Sequence, residues 1–138
     1  MFGSLDISSS ALSAYRTKMD AIANNVANVN TTRDASGRSV PYRRVIPLFA
    51  SGAAGVPGGQ GVHISEVIGD STPFRKAYDP SHPDAQTSGP DKGYVLYPNV
   101  DPVIEMADAV AATRIYEANV TAFESSKTLI GSALRILA

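Results

Sequence analysis

The sequence predicts a mainly α-helical fold with a β-rich or extended middle, in which two long terminal helices pack as a coiled coil. Apolar residues recur at helical spacing over 4–31 and again over 101–137. The intervening segment, 32–100, holds eight of the nine prolines and nine of the eleven glycines, which favours short strands and loops. We therefore expect residues 1–138 to form a single subunit domain with helices at its two ends.

The N-terminal helix carries one apolar seam with the seven-residue repeat that is typical of coiled coils. Two interleaved series form this seam: Leu5, Leu12, Met19 and Val26 in one, and Ser8, Tyr15, Ile22 and Val29 in the other. Asp6 and the serines at 8–10 have the side chains of helix N-caps, so we expect the helix to begin close to them.

The C-terminal helix carries two apolar stripes side by side. Asp101 is a suitable N-cap, and Pro102 fits the first helical position. The first stripe consists of Ile104, Ala111, Ile115, Ala118, Ala122, Leu129 and Ile136, and the second of Ala109, Ala112, Tyr116, Phe123, Ile130, Ala133 and Leu137. A two-stranded coiled coil needs only one seam, so the extra stripe predicts contact with other chains.

Four of the seven positions from 24 to 30 are asparagine, although asparagine is a poor helix former. In the register of the seam, Asn25 occupies a g position and Asn30 an e position. The amides could then fix how the helix of one subunit lies against the next. A helix C-cap, in which Asn28 or Asn30 adopts the left-handed conformation, is the alternative interpretation.

The middle segment contains four runs with strand character, which are 40–48, 62–68, 74–78 and 93–97. Pro41 and Pro47 indicate that the first run is an edge strand or an extended arm. A Gly/Ala-rich loop is expected over 50–61, and a loop rich in Pro, Asp and Ser over 79–92.

Composition excludes several classes of function. The net charge of −1 gives no basic excess for nucleic acid, and the absence of cysteine excludes disulfides and thiolate metal sites. No apolar run is long enough to cross a membrane, and the first residues lack the pattern of a signal peptide. These features alone would indicate a cytoplasmic protein.

Few residues in the sequence indicate a catalytic, metal-binding or phosphate-binding site. His82 lies in a proline-bounded turn and His63 in a predicted strand, so neither indicates a metal or a catalytic site. The glycines at 55–61 lack the features of a phosphate-binding loop. The arginines at 33, 38, 43 and 44 form a small basic patch that is either solvated or meets an acidic partner. We expect no enzyme activity, cofactor or metal; a soluble coiled-coil adaptor and a small enzyme using loop 79–92 are the alternatives.

Several motifs resemble those of a known family. The segment Asn25-Val-Ala-Asn28, followed by Thr31, is similar to the N-terminal motif of the bacterial flagellar axial proteins, which include rod, hook and hook-associated subunits. The resemblance narrows to the basal-body rod proteins over 71–75, 78–85, 93–106 and 114–120. Asp101 stands where the family pattern usually has asparagine.

The resemblance implies a structural subunit of the proximal rod, the drive shaft of the flagellum in the periplasm, with another flagellar axial protein as the alternative. It implies export by the flagellar type III system without a cleaved signal peptide, which revises the cytoplasmic prediction. Terminal helices of this family are expected to order on assembly around a central channel. The implied partners are copies of the chain and other rod subunits, with the inner-membrane ring and the export apparatus nearby.

From the seams and the resemblance together we predict an assembly interface. It comprises Leu5, Leu12, Tyr15, Met19, Ile22, Asn25, Val26, Asn28, Val29, Thr31, Ile104, Ala111, Ile115, Tyr116, Ala118, Asn119, Phe123, Leu129, Ile130 and Ile136.

Overall fold

The structure, a computed structural model, describes residues 2–52 and 59–137, with side chains for 3–52 and 59–135. In chain order its elements are α1 (Phe2–Ala27), β1 (Val45–Ser51), β2 (Val62–Gly69), β3 (Arg75–Tyr78), β4 (Tyr94–Tyr97) and α2 (Pro102–Leu137). Two long helices thus flank a small region of strands, which confirms the predicted fold class. Over the described residues, neither helix combines enough length with enough hydrophobicity to span a bilayer.

The strands form two separate antiparallel pairs, β1 with β2 and β3 with β4. The first strand begins at Val45, five residues later than predicted. Pro47 is tolerated opposite Val67 because each strand of a two-stranded sheet has a free edge, where a missing N–H costs no ladder bond. The pairing register shifts between Leu48 and Phe49, directly after this proline.

The N-cap of α2 was predicted correctly from the sequence, whereas the start of α1 was not. Asp101 caps α2 as expected, since its carboxylate accepts a 2.9 Å hydrogen bond from the Val103 N–H. The predicted cap of α1 is wrong, because the helix already begins at Phe2. Ser10 therefore lies inside α1, and its hydroxyl donates to the Ile7 carbonyl at 2.7 Å.

Helix α1 lies between α2 on one side and the β1–β2 pair on the other, and contacts all three elements. This position explains why α1 contributes most of the buried helical residues: Ser8, Ala11, Ala14, Ala21, Ile22 and Asn25. Among the described side chains of α2, only Glu105 and Ala112 are buried. Helix α2 is therefore an outer element with one face against α1.

The two helices run antiparallel, because Asn25 meets Glu105 and Met19 meets Thr113. Helix α2 has 36 residues and α1 has 26. The ten extra residues make α2 about 15 Å longer at 1.5 Å per residue. Since the helices are level at the Asn25 end, the far end of α2 extends past the start of α1.

A glycine brings the β1–β2 pair onto α1. Gly61 has φ +104°, a conformation that other residues rarely adopt, and a Cβ at this position would overlap the Ser10 hydroxyl. The same hydroxyl accepts a 3.1 Å hydrogen bond from the Val62 N–H. Further along, the rings of Tyr15 and Phe49 lie 5.2 Å apart. The sheet therefore follows α1 from its C-terminal end towards its N-terminal end.

Candidate assembly interface

The second apolar stripe of α2 faces α1 and is the inner seam of this helix. Ala112 is 1% exposed, at the level where Met19 of α1 contacts Thr113. The other inner-seam residues with described side chains are half-buried: Ala109, Tyr116, Phe123, Ile130 and Ala133. Asn119, a residue of the predicted interface, is half-buried as well, and the side chain of Leu137 lies outside the described residues. The half-buried residues are used at least partly for packing inside the chain.

The first apolar stripe of α2 faces away from α1. We call it the outer seam, and its members with described side chains are all exposed: Ile104, Ala111, Ile115, Ala118, Ala122 and Leu129. Ile104 is 56% exposed and Leu129 is 69% exposed. The side chain of Ile136, the last predicted member, lies outside the described residues. Three more apolar side chains near the start of the helix are also exposed, namely Val103, Met106 and Val110.

The predicted seam of α1 is covered, at least in part, within the chain. Ser8 and Ile22 are buried, and the other predicted seam residues are half-buried: Leu5, Leu12, Tyr15, Met19, Val26 and Val29. The opposite face of α1 is exposed and mostly polar, with Asp6, Ser9, Ser13, Arg16 and Asp20. The large exposed apolar surface of the helix pair therefore belongs mainly to α2.

Asn25 joins three parts of the chain at a buried junction. Its side-chain amide accepts from the Val45 N–H at 2.9 Å and donates to the Val45 carbonyl at 3.0 Å, which anchors the start of β1 to α1. The same amide donates to the Glu105 carboxylate of α2 at 3.1 Å and accepts from the Tyr42 hydroxyl at 3.0 Å. The side chain is 1% exposed. Asn25 was expected to reach a neighbouring subunit, but its amide is satisfied inside this one.

Glu105 and Arg44 form a charge pair at the same junction. Arg44 Nε donates to Glu105 Oε1 at 2.5 Å, and the Glu105 side chain is 1% exposed. The Arg44 guanidinium also lies 3.4 Å from Asp70 and 3.7 Å from Asp108. A buried carboxylate is stable only when it is paired and hydrogen-bonded, and here Arg44 and Asn25 supply both conditions.

Asn99 extends the junction towards the second strand pair. Its amide accepts from the Arg44 N–H at 2.9 Å and donates to the Thr72 hydroxyl at 2.8 Å. Arg75 of β3 donates to the Pro98 carbonyl at 3.1 Å and to the Val29 carbonyl at 3.3 Å. The end of α1, both strand pairs and the start of α2 therefore meet in one polar network.

Asn28 ends α1 without a left-handed residue. Its side-chain amide donates to the Asn24 carbonyl at 2.9 Å, and its side-chain oxygen accepts from the Thr31 hydroxyl at 3.1 Å. Among the described residues, only glycines have a positive φ. The expectation of a left-handed asparagine is wrong, because backbone bonds of a right-handed turn follow the helix, from the Val29 N–H to the Val26 carbonyl and from the Thr31 N–H to the Asn28 carbonyl.

The surroundings of three junction residues shift the pKa values of their side chains. Burial opposes ionisation of Arg44, but the Glu105 and Asp70 carboxylates outweigh it and raise the pKa of Arg44. Burial, with a smaller effect of the Glu105 charge, raises the pKa of Tyr42. A backbone hydrogen bond from Thr72 lowers the pKa of Asp70, helped by Arg44 and opposed by burial. The ion pair between Arg44 and Asp70 is therefore intact at neutral pH.

The remaining sequence candidates are occupied within the chain. The predicted basic patch divides into separate contacts: Arg33 pairs with Asp84, Arg38 with Asp34, Arg43 lies on the Phe74 ring, and Arg44 belongs to the junction. His82 Nδ1 accepts from the Asp84 N–H at 3.1 Å, and its ring lies near that of Tyr97. His63 bonds the Gly52 carbonyl at 2.8 Å. Half of the predicted Gly/Ala-rich loop 50–61, residues 53–58, lies outside the described residues.

The sequence alone did not reveal the residues that form the junction around Asn25. Tyr42 and Asn99 carry no periodicity, Arg44 was assigned to a small basic patch, and Glu105 was not singled out. One signal could have identified Glu105. It lies seven residues before Ala112 and four before Ala109, which is an inner-seam position where a charged residue is unusual.

Comparison with known proteins identifies the class. The family profile described as "Flagella basal body rod protein" matches residues 5–33, and that described as "Flagellar basal body rod FlgEFG protein C-terminal" matches residues 91–136. The two matches cover nearly all of α1 and α2, and they include Asn25, Asn99 and Glu105 of the junction. Both matched segments are those of flagellar basal-body rod proteins.

Individual relatives show which family of rod proteins the chain belongs to. The chain is 42% identical to the flagellar basal-body rod protein FlgC of Borreliella burgdorferi, over 99% of this chain and 97% of the relative. It is 42% identical to FlgC of Bacillus subtilis over 98% and 97%, and 36% identical to FlgC of Buchnera aphidicola over 95% and 93%. The chain belongs to the FlgC family of flagellar basal-body rod proteins. The prediction of a structural subunit of the basal body, rather than an enzyme, is confirmed by this membership.

Proposed function

We propose that this chain is a subunit of the proximal rod and joins other rod subunits, including its own copies, mainly through the outer seam of α2. The exposure of this seam carries the proposal, since Ile104, Ile115 and Leu129 present large aliphatic side chains to solvent. Each Å² of apolar surface that leaves water contributes about 25 cal/mol to association. Contiguous exposed apolar surface on a folded chain is characteristic of an interaction site.

The chemistry of the two helix faces supports an open helical array. Such an array needs two different patches on each subunit, so that one subunit's patch meets the other patch of its neighbour. The outer seam is apolar, whereas the exposed face of α1 is polar and includes Asp6, Arg16 and Asp20. Each subunit can therefore use the outer seam towards one neighbour and another surface towards the next.

Torque transmission is the proposed mechanical role. A shaft must resist shear, and the polar junction fixes α1, α2 and both strand pairs to one another within each subunit. Load applied to α2 then passes through Glu105 and Arg44 to the middle of the chain. On this account residues 1–138 act as one subunit domain.

The proposed location is the periplasmic rod of the basal body, close to the inner-membrane ring and the export apparatus. Delivery is by flagellar type III export without a cleaved signal peptide. Membership of the rod-protein family supports this location, and the neighbours named are those that the family resemblance implies.

Imaging of basal bodies tests the proposal. In a strain that lacks the gene, purified basal bodies should show the rings without rod, hook or filament, because the subunits beyond this one have no foundation. Restoring the gene on a plasmid should restore all three structures. A complete rod and normal swimming in the deleted strain would contradict the proposal.

A further inference from the structure

The two seams of α2 are nearly equivalent in hydrophobicity. Each repeats every seven residues and carries large apolar side chains: Ile104, Ile115 and Leu129 on the outer seam, and Tyr116, Phe123 and Ile130 on the inner seam. The seams lie one residue apart, which is a rotation of about 100° around the helix axis. Burial of apolar surface therefore does little to decide which of the two seams faces α1.

Glu105 breaks this equivalence. It stands seven residues before Ala112 and fourteen before Asn119, so it occupies a seam position on the inner side. Its carboxylate is 1% exposed and contacts Arg44 at 2.5 Å and Asn25 at 3.1 Å. No corresponding partners are needed by Ile104, the residue that starts the outer seam.

A rotation of α2 by one residue would exchange the seams and separate the Glu105 carboxylate from both partners. The two partners come from different elements, Asn25 from α1 and Arg44 from the segment before β1. The two contacts therefore fix the rotation of α2 about its axis as well as the depth to which the Glu105 side chain is buried. Arg44 would keep Asp70 nearby, but Asn25 would lose an acceptor in a buried position.

We propose that Glu105 is a positioning residue that fixes the rotation of α2 and so determines which apolar seam is presented outward. A single buried polar group at a seam position selects the register of coiled coils in the same way, at some cost in stability. The consequence for rod assembly rests on the proposed function. The rotation itself is a property of one chain.

Cysteine cross-linking in the purified full-length chain tests the rotation, because the chain has no cysteine of its own. The pair Met19→Cys with Thr113→Cys reports the rotation seen here, since these side chains are in contact. The pair Met19→Cys with Ala111→Cys reports the exchanged rotation, since Ala111 belongs to the outer seam. A short thiol-specific cross-linker is added, and the intramolecular product is measured for each pair.

With Glu105 present, the first pair should react at least about tenfold more than the second, which corresponds to about 1.4 kcal/mol. Glu105→Ala should reduce this ratio to about threefold or less, because both seams then start with an apolar residue. Glu117→Ala is the matched control, with the same change at an exposed position of α2, and should leave the ratio unchanged. Circular dichroism verifies that each variant remains helical.

If Glu105→Ala loses its helices, Glu105→Ala combined with Arg44→Met decides, because it removes the unpaired charge as well. An unchanged ratio in a folded variant overturns the proposal, as does a native chain without preference between the pairs. Loss of helix in both variants also overturns it, since Glu105 would then act on stability and not on rotation. The proposed role in the rod is tested separately by the imaging of basal bodies, so the two proposals can fail independently.

Discussion

The Asn25 amide of α1 donates a 3.1 Å hydrogen bond to the Glu105 carboxylate of α2, across 80 positions of sequence, and both side chains are 1% exposed. This bond places one residue of the family's Asn-Val-Ala-Asn motif at the point where the two terminal helices meet. The asparagine-rich end of α1 is thus a connection between elements of the subunit. Its low helix propensity is offset by four hydrogen bonds from one side chain.

Asn25→Ala should lower the free energy of unfolding by about 2–4 kcal/mol, since it leaves buried partners of the amide unsatisfied. Urea unfolding followed by circular dichroism measures the loss. Asn24→Ala is the control, because Asn24 is exposed and alanine there improves helix propensity by about 0.5 kcal/mol. Equal effects of the two substitutions would show that the junction does not carry the stability assigned to it.

Gly61→Ala should destabilise the chain by about 1–3 kcal/mol, because the new Cβ would meet the Ser10 hydroxyl at a positive φ. Gly131→Ala should stabilise α2 by about 0.5–1 kcal/mol, since Gly131 is helical and has open space around it. Thermal unfolding of the two variants should therefore shift in opposite directions. A shift of both in the same direction would contradict the close contact of the sheet with α1.

Asp101→Ala should cost about 1 kcal/mol, because it removes the side-chain acceptor for the Val103 N–H at the start of α2. Asp101→Asn should change stability by less than about 0.5 kcal/mol, since asparagine is an equally good N-cap. A large loss in the asparagine variant would mean that the charge of Asp101 has another role.

Stability should fall as the pH drops below about 4, near the ordinary pKa of about 3.9 for an aspartate. The pKa of Asp70 is lowered in the folded chain by hydrogen bonds from Thr72 and by Arg44. The unfolded chain therefore binds more protons in this range, and folding becomes less favourable as Asp70 takes one up. Asp70→Asn should unfold in urea with a smaller difference between pH 6 and pH 3 than the native chain shows. An equal difference would exclude Asp70 as a source of the acid sensitivity.

Periodicity predicted the parts of this fold that repeat. The two helices, the four strands and the presence of two stripes on α2 follow from spacings that can be counted in the sequence. The N-cap at Asp101 could be predicted as well, because capping depends on neighbouring residues only. The start of α1 could not, because the serines at 8–10 have the same capping chemistry whether or not the helix continues before them.

The junction was missed because its contacts join distant segments. Asn25, Arg44 and Glu105 are separated by tens of residues, and nothing local distinguishes Arg44 from the exposed Arg38. Burial decides which charge is paired, and burial depends on how the elements pack. For the same reason the Asn25 amide was expected to hydrogen-bond a helix of another subunit. A position beside the seam does not by itself show which helix the side chain will contact.

Assembly through the outer seam is the central claim, and charges placed on it test the claim most directly. Ile115→Glu combined with Leu129→Glu should leave the purified chain as helical as the native one, because both side chains already face solvent. In the deleted strain this variant should give basal bodies with rings and no rod. Thr121→Glu, at an exposed position of the same helix off the seam, should restore rod and swimming. A complete rod built from the Ile115→Glu, Leu129→Glu chain would contradict the account.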